Sequence, residues 1–189
     1  MHLPLDTQES SLPLLETRRL RLRAPELEDL EILYAWENHT QTWQISNTLV
    51  PFSRFILRQY LETAGKEIFE TKQLRLMIDL KSEKGLDLPV GTIDLFDFDP
   101  LHQRAGIGIL VAAPKNRRKG YASEALSALI RYAFEILQLK QLYCNILENN
   151  PASLELFQKA GFEITGIKKN WIRTGNEWLD EYLLQLQRP

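Results

Sequence analysis

Apolar and polar residues alternate in several short runs along the chain, a pattern typical of half-buried β-strands. The first run covers residues 16–23, where Leu20 and Leu22 alternate with arginines and Pro25 follows. Similar runs predict strands over residues 73–80, 90–98, 104–112 and 141–147, and a final strand pair over 163–172 and 178–186. A Thr-Gly-Asn turn separates the last two runs, so we expect them to pair as antiparallel neighbours.

Apolar residues at three- and four-residue spacing predict helices between these strands. The clearest helix has an apolar stripe formed by Ala122, Ala125, Leu126, Leu129, Ile130, Ala133, Phe134 and Leu137. Shorter helices are predicted over residues 26–38, over 54–64 with Ser53 as N-cap and Gly65 as terminator, and after Pro151. No repeat or linker divides the chain, which predicts one domain over residues 16–189 behind a flexible leader, residues 1–15.

A basic loop, Arg117-Arg118-Lys119-Gly120, leads directly into the clearest helix. The first turn of a helix has unpaired N–H groups and the positive end of the helix dipole, so this loop is suited to a phosphate or pyrophosphate. The loop lacks the residue order of a Walker phosphate loop. A dinucleotide fingerprint would need glycine where Val111 stands.

The pattern Arg-x-x-Gly-x-Ala resembles the pyrophosphate loop of the GNAT N-acetyltransferase superfamily. Downstream, residues 148–162 resemble the Asn-x-x-Ser, short helix and Gly-Phe segment of the same superfamily. The stretches ETRRLRLRAPELEDL and GTIDLFDFDPLHQRAGIGI resemble its RimJ/RimL-type branch and the related spermidine acetyltransferases. The resemblance implies an α/β (α+β) GNAT fold, with a mixed, mostly antiparallel sheet of about seven strands and about four flanking helices.

The resemblance also implies that acetyl-CoA is the acetyl donor and that its binding residues can be assigned by position. The pantetheine arm would run along the strand edge at Leu110, Val111 and Ala112, shifted by one residue if the following loop is longer than usual. Asn150 would hydrogen-bond the pantetheine, and Ser153 and Phe157 would flank the cofactor, although Asn150 also fits a simple helix cap. The diphosphate would bind Arg117, Arg118, Lys119, Gly120, Tyr121, Ala122 and Ser123.

The chain departs from the superfamily at two catalytic positions. Phe157 stands where many members have a tyrosine acid, and Gly106 stands where many have a glutamate. The remaining catalytic candidates are Asp94, Asp97 and Ser153. On a regular strand, Asp94 and Asp97 face opposite sides, so only one of them can face the thioester.

A weakly equipped site favours an acceptor amine of low pKa. A polyamine nitrogen with a pKa of about 10.4 costs about 4 kcal/mol to deprotonate at pH 7.4, whereas an α-amine near 7.7–8.0 costs less than about 1 kcal/mol. We therefore predict acetylation of a protein or peptide N-terminal α-amine. The alternatives are a polyamine or other small amine, a non-catalytic acyl-CoA-binding regulatory module, and an interaction domain with an empty loop.

Composition narrows the remaining possibilities. The 189 residues carry a net charge of −2 with a pI near 6.0, which argues against general nucleic-acid binding. The chain has neither a membrane-length apolar run nor a signal sequence, and its single cysteine, Cys144, permits no internal disulfide, so a cytoplasmic location is predicted. The three histidines show no metal-ligand spacing, so no metal is expected. A homodimer is implied by the resemblance alone.

Overall fold

The strands form one seven-stranded sheet in a computed structural model that describes residues 14–40, 43, 50–64, 67–83 and 85–189. They lie in the spatial order β1-β2-β3-β4-β5-β7-β6, and every neighbouring pair is antiparallel except β4 and β5. This confirms the predicted mixed sheet. The bounds are β1 (Leu20–Arg23), β2 (Leu74–Leu80), β3 (Leu88–Asp99), β4 (Arg104–Val111), β5 (Gln141–Leu147), β6 (Glu163–Thr174) and β7 (Glu177–Gln187).

The helices largely follow the apolar stripes. Ser53 caps its helix as predicted, because its hydroxyl accepts a hydrogen bond from the Ile56 N–H at 3.2 Å, while Gly65 lies outside the described residues. The predicted first helix begins with a short 3₁₀ turn, and Leu27 in that turn is half exposed. The bounds are α1 (Leu30–Glu37), α2 (Arg54–Thr63), α3 (Ile68–Thr71, not predicted), α4 (Tyr121–Glu135) and α5 (Pro151–Lys159).

Apolar clusters cover both faces of the sheet. On β2, Leu76 and Ile78 belong to the larger cluster, in which α4 and α5 pack, whereas Met77 between them belongs to a smaller cluster with α1 and α2. Both faces of β2 are therefore buried, which explains why its sequence alternates less cleanly than that of β1. We call the α1 and α2 side the front face of the sheet.

Leu15, the last residue of the predicted leader, is attached to the sheet. Residues 1–13 lie outside the described residues. The Leu15 side chain packs against the larger cluster, and the Leu15 carbonyl accepts a hydrogen bond from the Leu22 N–H at 2.8 Å. This backbone contact ties residue 15 to β1.

The parallel pairing of β4 and β5 fixes the position of the basic loop. Parallel neighbours require a crossover connection, and here α4 provides it. The loop before α4 therefore lies at the carboxyl end of β4, beside the border with β5. This is the place where the sheet opens.

Candidate active site

The border between β4 and β5 is paired at one end only. Backbone pairing joins Arg104, Ala105 and Gly106 to Gln141, Leu142 and Tyr143, and it ends there. From Ile107 onward the two strands diverge around a cavity of about 710 Å³. The open edge of β4 can therefore accept an extended ligand as though it were another strand.

The predicted pantetheine residues lie on this open edge, but their backbone groups face different ways. The Ala112 N–H donates to the Val90 carbonyl at 3.1 Å, so Ala112 faces β3. Because backbone groups alternate along a strand, those of Leu110 also face β3 and those of Val111 face the opening. The Arg117 Nε donates to the Val111 carbonyl at 3.1 Å, which agrees with that direction. Val111 is thus the predicted residue with backbone groups directed towards the opening.

The basic loop has the backbone conformation that a close approach to an anion requires. Gly120 precedes α4 with φ +82°, a left-handed conformation that favours glycine, and Arg118 is also left-handed at φ +58°. The loop borders a second cavity of about 950 Å³. Of the predicted diphosphate residues, those lining this cavity are Arg117, Arg118, Gly120, Tyr121, Ala122 and Ser123.

Lys119 is the predicted loop residue that does not line the cavity, and its carbonyl accepts a hydrogen bond from Arg19. The Arg19 guanidinium donates from Nη1 to this carbonyl at 3.1 Å and pairs with Glu124 on α4, with Nη2 2.7 Å from Oε2. Arg19 also lies over the Tyr121 ring, 5.0 Å from its centroid, and the Thr17 hydroxyl donates to the Glu124 carboxylate. We call these contacts of Thr17 and Arg19 with Lys119, Tyr121 and Glu124 the clasp. Sequence reasoning missed it, because its partners are about a hundred residues apart.

Asn150 and Ser153 lie where the two cavities meet. Both residues line both cavities, which therefore form one continuous groove. The Asn150 Oδ1 accepts from the Ser153 N–H at 3.2 Å, so Asn150 does cap α5. Phe157 lines the first cavity and packs edge to face on Phe162 at 5.1 Å. The predicted residues of α5 are thus brought to the same groove as the basic loop.

Asp94 is held in a partly buried ion-pair network on the front face. The Arg75 Nε lies 2.6 Å from the Asp94 Oδ1, and the Arg75 Nη1 lies 2.7 Å from the Glu37 Oε1. Burial opposes the charge of Arg75, but Asp94, with Tyr60 and Glu37, outweighs it and raises the pKa of the guanidinium. Asp94 pairs with Gly108 across the β3–β4 ladder. It is not among the described residues that line either cavity.

Asp97 lies in a strand irregularity that the sequence did not reveal. The β3–β4 register shifts between Phe96 and Asp99, and Asp97 adopts φ +48°. The parity argument for Asp94 and Asp97 assumed a regular strand, so it does not apply across this bulge. The Tyr143 hydroxyl donates to the Asp97 Oδ2 at 3.1 Å. Burial, followed by the Asp97 charge, raises the pKa of Tyr143 to about 12.

The first cavity contains a carboxylate that sequence reasoning missed. Glu181 on β7 is 9% exposed and lies opposite Leu147 on β5. Its Oε2 is 2.7 Å from the Nζ of Lys168 on β6. Alternation along β7 puts Glu181 on the face opposite Tyr182 and Leu184, but only the fold shows that this face borders the opening.

Other predicted features have simpler roles. Cys144 is buried beside the cavity, and burial raises the pKa of its thiol to about 12, which fits a core residue rather than a nucleophile. Across the described residues, no group of three or more His, Cys, Asp or Glu side chains is arranged to hold a metal ion. None of the described helices is long and apolar enough to span a membrane.

Comparison with known proteins agrees with the fold. Residues 19–163 match the acetyltransferase (GNAT) domain family. The chain is 26% identical to the spermidine N(1)-acetyltransferase of Vibrio cholerae over 144 residues, which is 76% of this chain and 79% of that protein. It is 32% identical to the [ribosomal protein uS5]-alanine N-acetyltransferase of Escherichia coli over 71 residues, 38% of this chain and 37% of that protein.

A solved structure shares the whole architecture. The Vibrio cholerae spermidine N-acetyltransferase in complex with CoA and spermine superposes with a TM-score of 0.80 at 20% identity, covering 90% of this chain and 96% of that chain. The chain belongs to the GNAT acetyltransferase family. It is an acetyl-CoA-dependent N-acetyltransferase, which transfers an acetyl group to an amine.

Proposed function

We propose that the acceptor is the N-terminal α-amine of a peptide or protein. The observation that carries this proposal is the pairing of the front-face carboxylates. Glu37 and Asp94 are both bound to Arg75, and Glu181 is bound to Lys168. A polyamine carries several positive charges and requires several available carboxylates, whereas one α-amine requires a single hydrogen-bond acceptor.

Acid–base chemistry supports the same acceptor. At neutral pH an α-amine, with a pKa near 7.7–8.0, is already partly unprotonated, so a site with few catalytic groups is sufficient. The two superfamily positions that usually supply an acid and a base are Phe157 and Gly106 in this chain. A Cβ at Gly106 would lie 2.3 Å from the Phe96 ring, so this position has no room for a glutamate unless the ring moves.

The groove supplies a binding site for the donor. In this proposal the basic loop before α4 binds the diphosphate through its backbone N–H groups, and Arg117 and Arg118 provide positive charge. Val111 pairs with the pantetheine on the open edge of β4. When bound, the thioester supplies an activated acetyl group and a thiolate leaving group. In this proposal Ser153, which lines both cavities, donates a proton to that thiolate.

Polyamine acetylation is the second candidate. The relative and the solved structure from Vibrio cholerae are named as spermidine acetyltransferases, and that structure contains spermine. The Escherichia coli relative instead acts on a ribosomal-protein alanine, according to its name. The comparisons therefore provide a precedent for each acceptor, and the front-face ion pairs favour the α-amine.

A thiol-release assay tests the proposal directly. Purified protein and acetyl-CoA would be incubated at pH 7.4 with peptides of free N-terminus, the same peptides blocked at the N-terminus, and spermidine. We expect turnover of the free peptides, with kcat/KM at least tenfold above that for spermidine, and none of the blocked peptides. Efficient turnover of spermidine with no turnover of peptides would overturn the α-amine assignment. The predicted non-catalytic module would instead bind CoA in calorimetry and release no thiol.

A further inference from the structure

Glu181 occupies a position that the family resemblance did not indicate. Of the described residues that line the cavity between β4 and β5, it alone carries a carboxylate. The cavity wall around it includes Gly108, Asn145 and Ser153. Its cross-strand partner Leu147 lies on the face of β5 opposite Cys144 and Ile146, which belong to the larger cluster, so Glu181 lies on the front face. A carboxylate that is 9% exposed is costly to bury unless it is paired, and here it is paired.

Lys168 fixes the orientation of this carboxylate. Its Nζ lies 2.7 Å from the Glu181 Oε2 and donates to the Asn145 Oδ1 at 3.0 Å. The same Nζ lies 5.4 Å from the centroid of the Trp171 ring. Within the described part of the chain, the Glu181 Oε1 accepts no hydrogen bond. One oxygen is thus anchored and the other is available to a ligand in the cavity.

The other candidate carboxylates are less available. Asp94 receives hydrogen bonds from the Arg75 Nε at 2.6 Å and from Nη2 at 3.5 Å, so both of its oxygens are occupied. Asp97 accepts from the Tyr143 hydroxyl and is exposed on the bulge. Neither of them lines the cavity in the described residues.

We propose that Glu181 is the catalytic residue that accepts the proton of the acceptor amine, and that Lys168 is the positioning residue that holds it. This inference rests on the proposed function, because it assumes that the cavity hosts acetyl transfer to an amine. The Oε1 of Glu181 first accepts a hydrogen bond from the ammonium form of the acceptor. It then takes one proton, which leaves a neutral amine with a lone pair directed into the cavity.

The proton and electron balance is complete without a further reactant. The amine nitrogen forms a C–N bond to the acetyl carbonyl carbon, the C–S bond breaks, and the sulfur leaves with the bonding pair. The nitrogen loses its second proton to water, and the thiolate gains one from Ser153, which is reprotonated by water, or from water directly, so the thiol is released. Glu181 returns its proton to solvent. The sum is ammonium plus acetyl-CoA giving amide, CoA thiol and one proton.

The central test compares Glu181→Gln with Glu163→Gln. Glutamine keeps the size of the side chain and an acceptor for Lys168 but cannot take a proton. Glu163 is an exposed glutamate on β6 and serves as the matched control. Removal of a general base typically costs 10²–10⁴-fold. With a free-N-terminus peptide at pH 6.0, where an α-amine of pKa 7.7–8.0 is only about 1–2% unprotonated, we expect kcat/KM of Glu181→Gln to fall about 50- to 100-fold and that of Glu163→Gln to stay within twofold.

The pH dependence separates loss of a base from general damage. In Glu181→Gln only the unprotonated amine reacts, so its deficit relative to the wild-type protein should shrink about tenfold per pH unit up to the pKa of the peptide amine. A kcat/KM within threefold of wild type, with a parallel pH profile, would overturn the assignment to Glu181. Glu181→Asp retains a carboxylate, so we expect it to recover at least tenfold of the loss. Equal activity of the Asp and Gln variants would also contradict the proposal.

Binding measurements provide a readout independent of turnover. Calorimetry with CoA should give the same affinity for wild type and Glu181→Gln within twofold, which also verifies the fold of the variant. Without CoA, the peptide should bind Glu181→Gln about fivefold more weakly, and unchanged peptide binding would count against the ammonium contact. If wild-type protein neither binds CoA nor releases thiol, the proposed function itself fails, whatever the variants show.

A second pair of variants tests the role of Lys168. Lys168→Met removes the anchor of Glu181, and Lys168→Arg keeps a cationic donor. We expect Lys168→Met to lower kcat about tenfold with unchanged CoA affinity, and Lys168→Arg to restore most of that loss. A loss of kcat that Lys168→Arg does not restore would contradict the positioning role.

Discussion

The close contact between Gly106 and Phe96 provides a quantitative test of the site geometry. A Cβ added at Gly106 would lie 2.3 and 2.4 Å from two carbons of the Phe96 ring. Non-bonded carbon atoms prefer separations of about 3.5–4.0 Å, so the ring would have to move by about 1 Å or more. Phe96 also packs edge to face against Tyr143, with 5.9 Å between the ring centroids, which restricts its movement. Gly106→Ala should therefore strain the wall of the cavity.

The expected cost follows from this overlap. Inserting a methyl group into a packed site costs about 1–3 kcal/mol of unfolding free energy. For a chain of this size, that corresponds to a fall in Tm of about 2–12 °C. Urea unfolding followed by tryptophan fluorescence would measure the loss. Gly108→Ala is the matched control on the same strand and face, since its Cβ would lie 3.8 Å from the ring, and its effect should stay within about 0.5 kcal/mol.

A double-mutant cycle isolates the steric cause. Phe96→Ala removes the ring, so Gly106→Ala should cost at least about 1 kcal/mol less in the Phe96→Ala background than in the wild-type protein. Additivity of the two substitutions within about 0.5 kcal/mol would refute the argument from the overlap. Equal destabilisation by Gly106→Ala and Gly108→Ala would refute it as well, because only one of the two glycines lies close to the ring.

Three further predictions concern groups around the groove. Arg19→Ala should weaken CoA binding about tenfold in calorimetry, because the basic loop loses its contact with Arg19 while the Glu124 carboxylate remains beside it. Arg19→Lys should weaken CoA binding less. Equal CoA affinities of wild type and Arg19→Ala would contradict this. Burial opposes ionisation of Glu124, but hydrogen bonds from Thr17 and Arg19 outweigh burial and lower the pKa of this carboxyl from 4.5. The stability that the clasp contributes is therefore present above pH 4.5 and is lost as the pH falls further. The unfolding free energies of wild type and Arg19→Ala should therefore converge in acid. The difference in phenolate absorbance between wild type and Tyr143→Phe should titrate near pH 12, because burial and Asp97 raise the pKa of the Tyr143 phenol. The hydrogen bond between Tyr143 and Asp97 should stabilise the fold below pH 10 and be lost towards pH 12. Titration near pH 10 would contradict this partly buried placement of the phenol.

The sequence was informative wherever the relevant interactions are local. Strand alternation and helix periodicity depend on neighbouring residues, so the order of elements and most of their bounds could be predicted. The basic loop could also be predicted, because a left-handed Gly120 before a helix is a local feature. The 3₁₀ turn at Leu27 and the short α3 escaped prediction, since short turns carry too few residues to show a period.

Interactions between distant residues could not be predicted in this way. Arg19 and Glu124 are 105 positions apart, and the Asp97 side chain takes its direction from a bulge that alternation cannot reveal. Asp94 was a reasonable candidate from its strand position, but its partner Arg75 lies on a neighbouring strand. Glu181 reaches the groove only because β7 inserts between β5 and β6, a matter of topology.

Only three residue pairs join β4 to β5, so this border is the least extensively paired part of the described sheet. On one side stand β1 to β4, on the other β5, β7 and β6, and the backbone ladder between these halves is confined to Arg104–Gly106 and Gln141–Tyr143. Because few backbone hydrogen bonds join the halves at this border, we expect the border to tilt more easily than the other strand pairs of the sheet. A ligand paired along residues 107–111 would add backbone contacts beside these three pairs, so we expect CoA binding to make this border of the sheet more rigid.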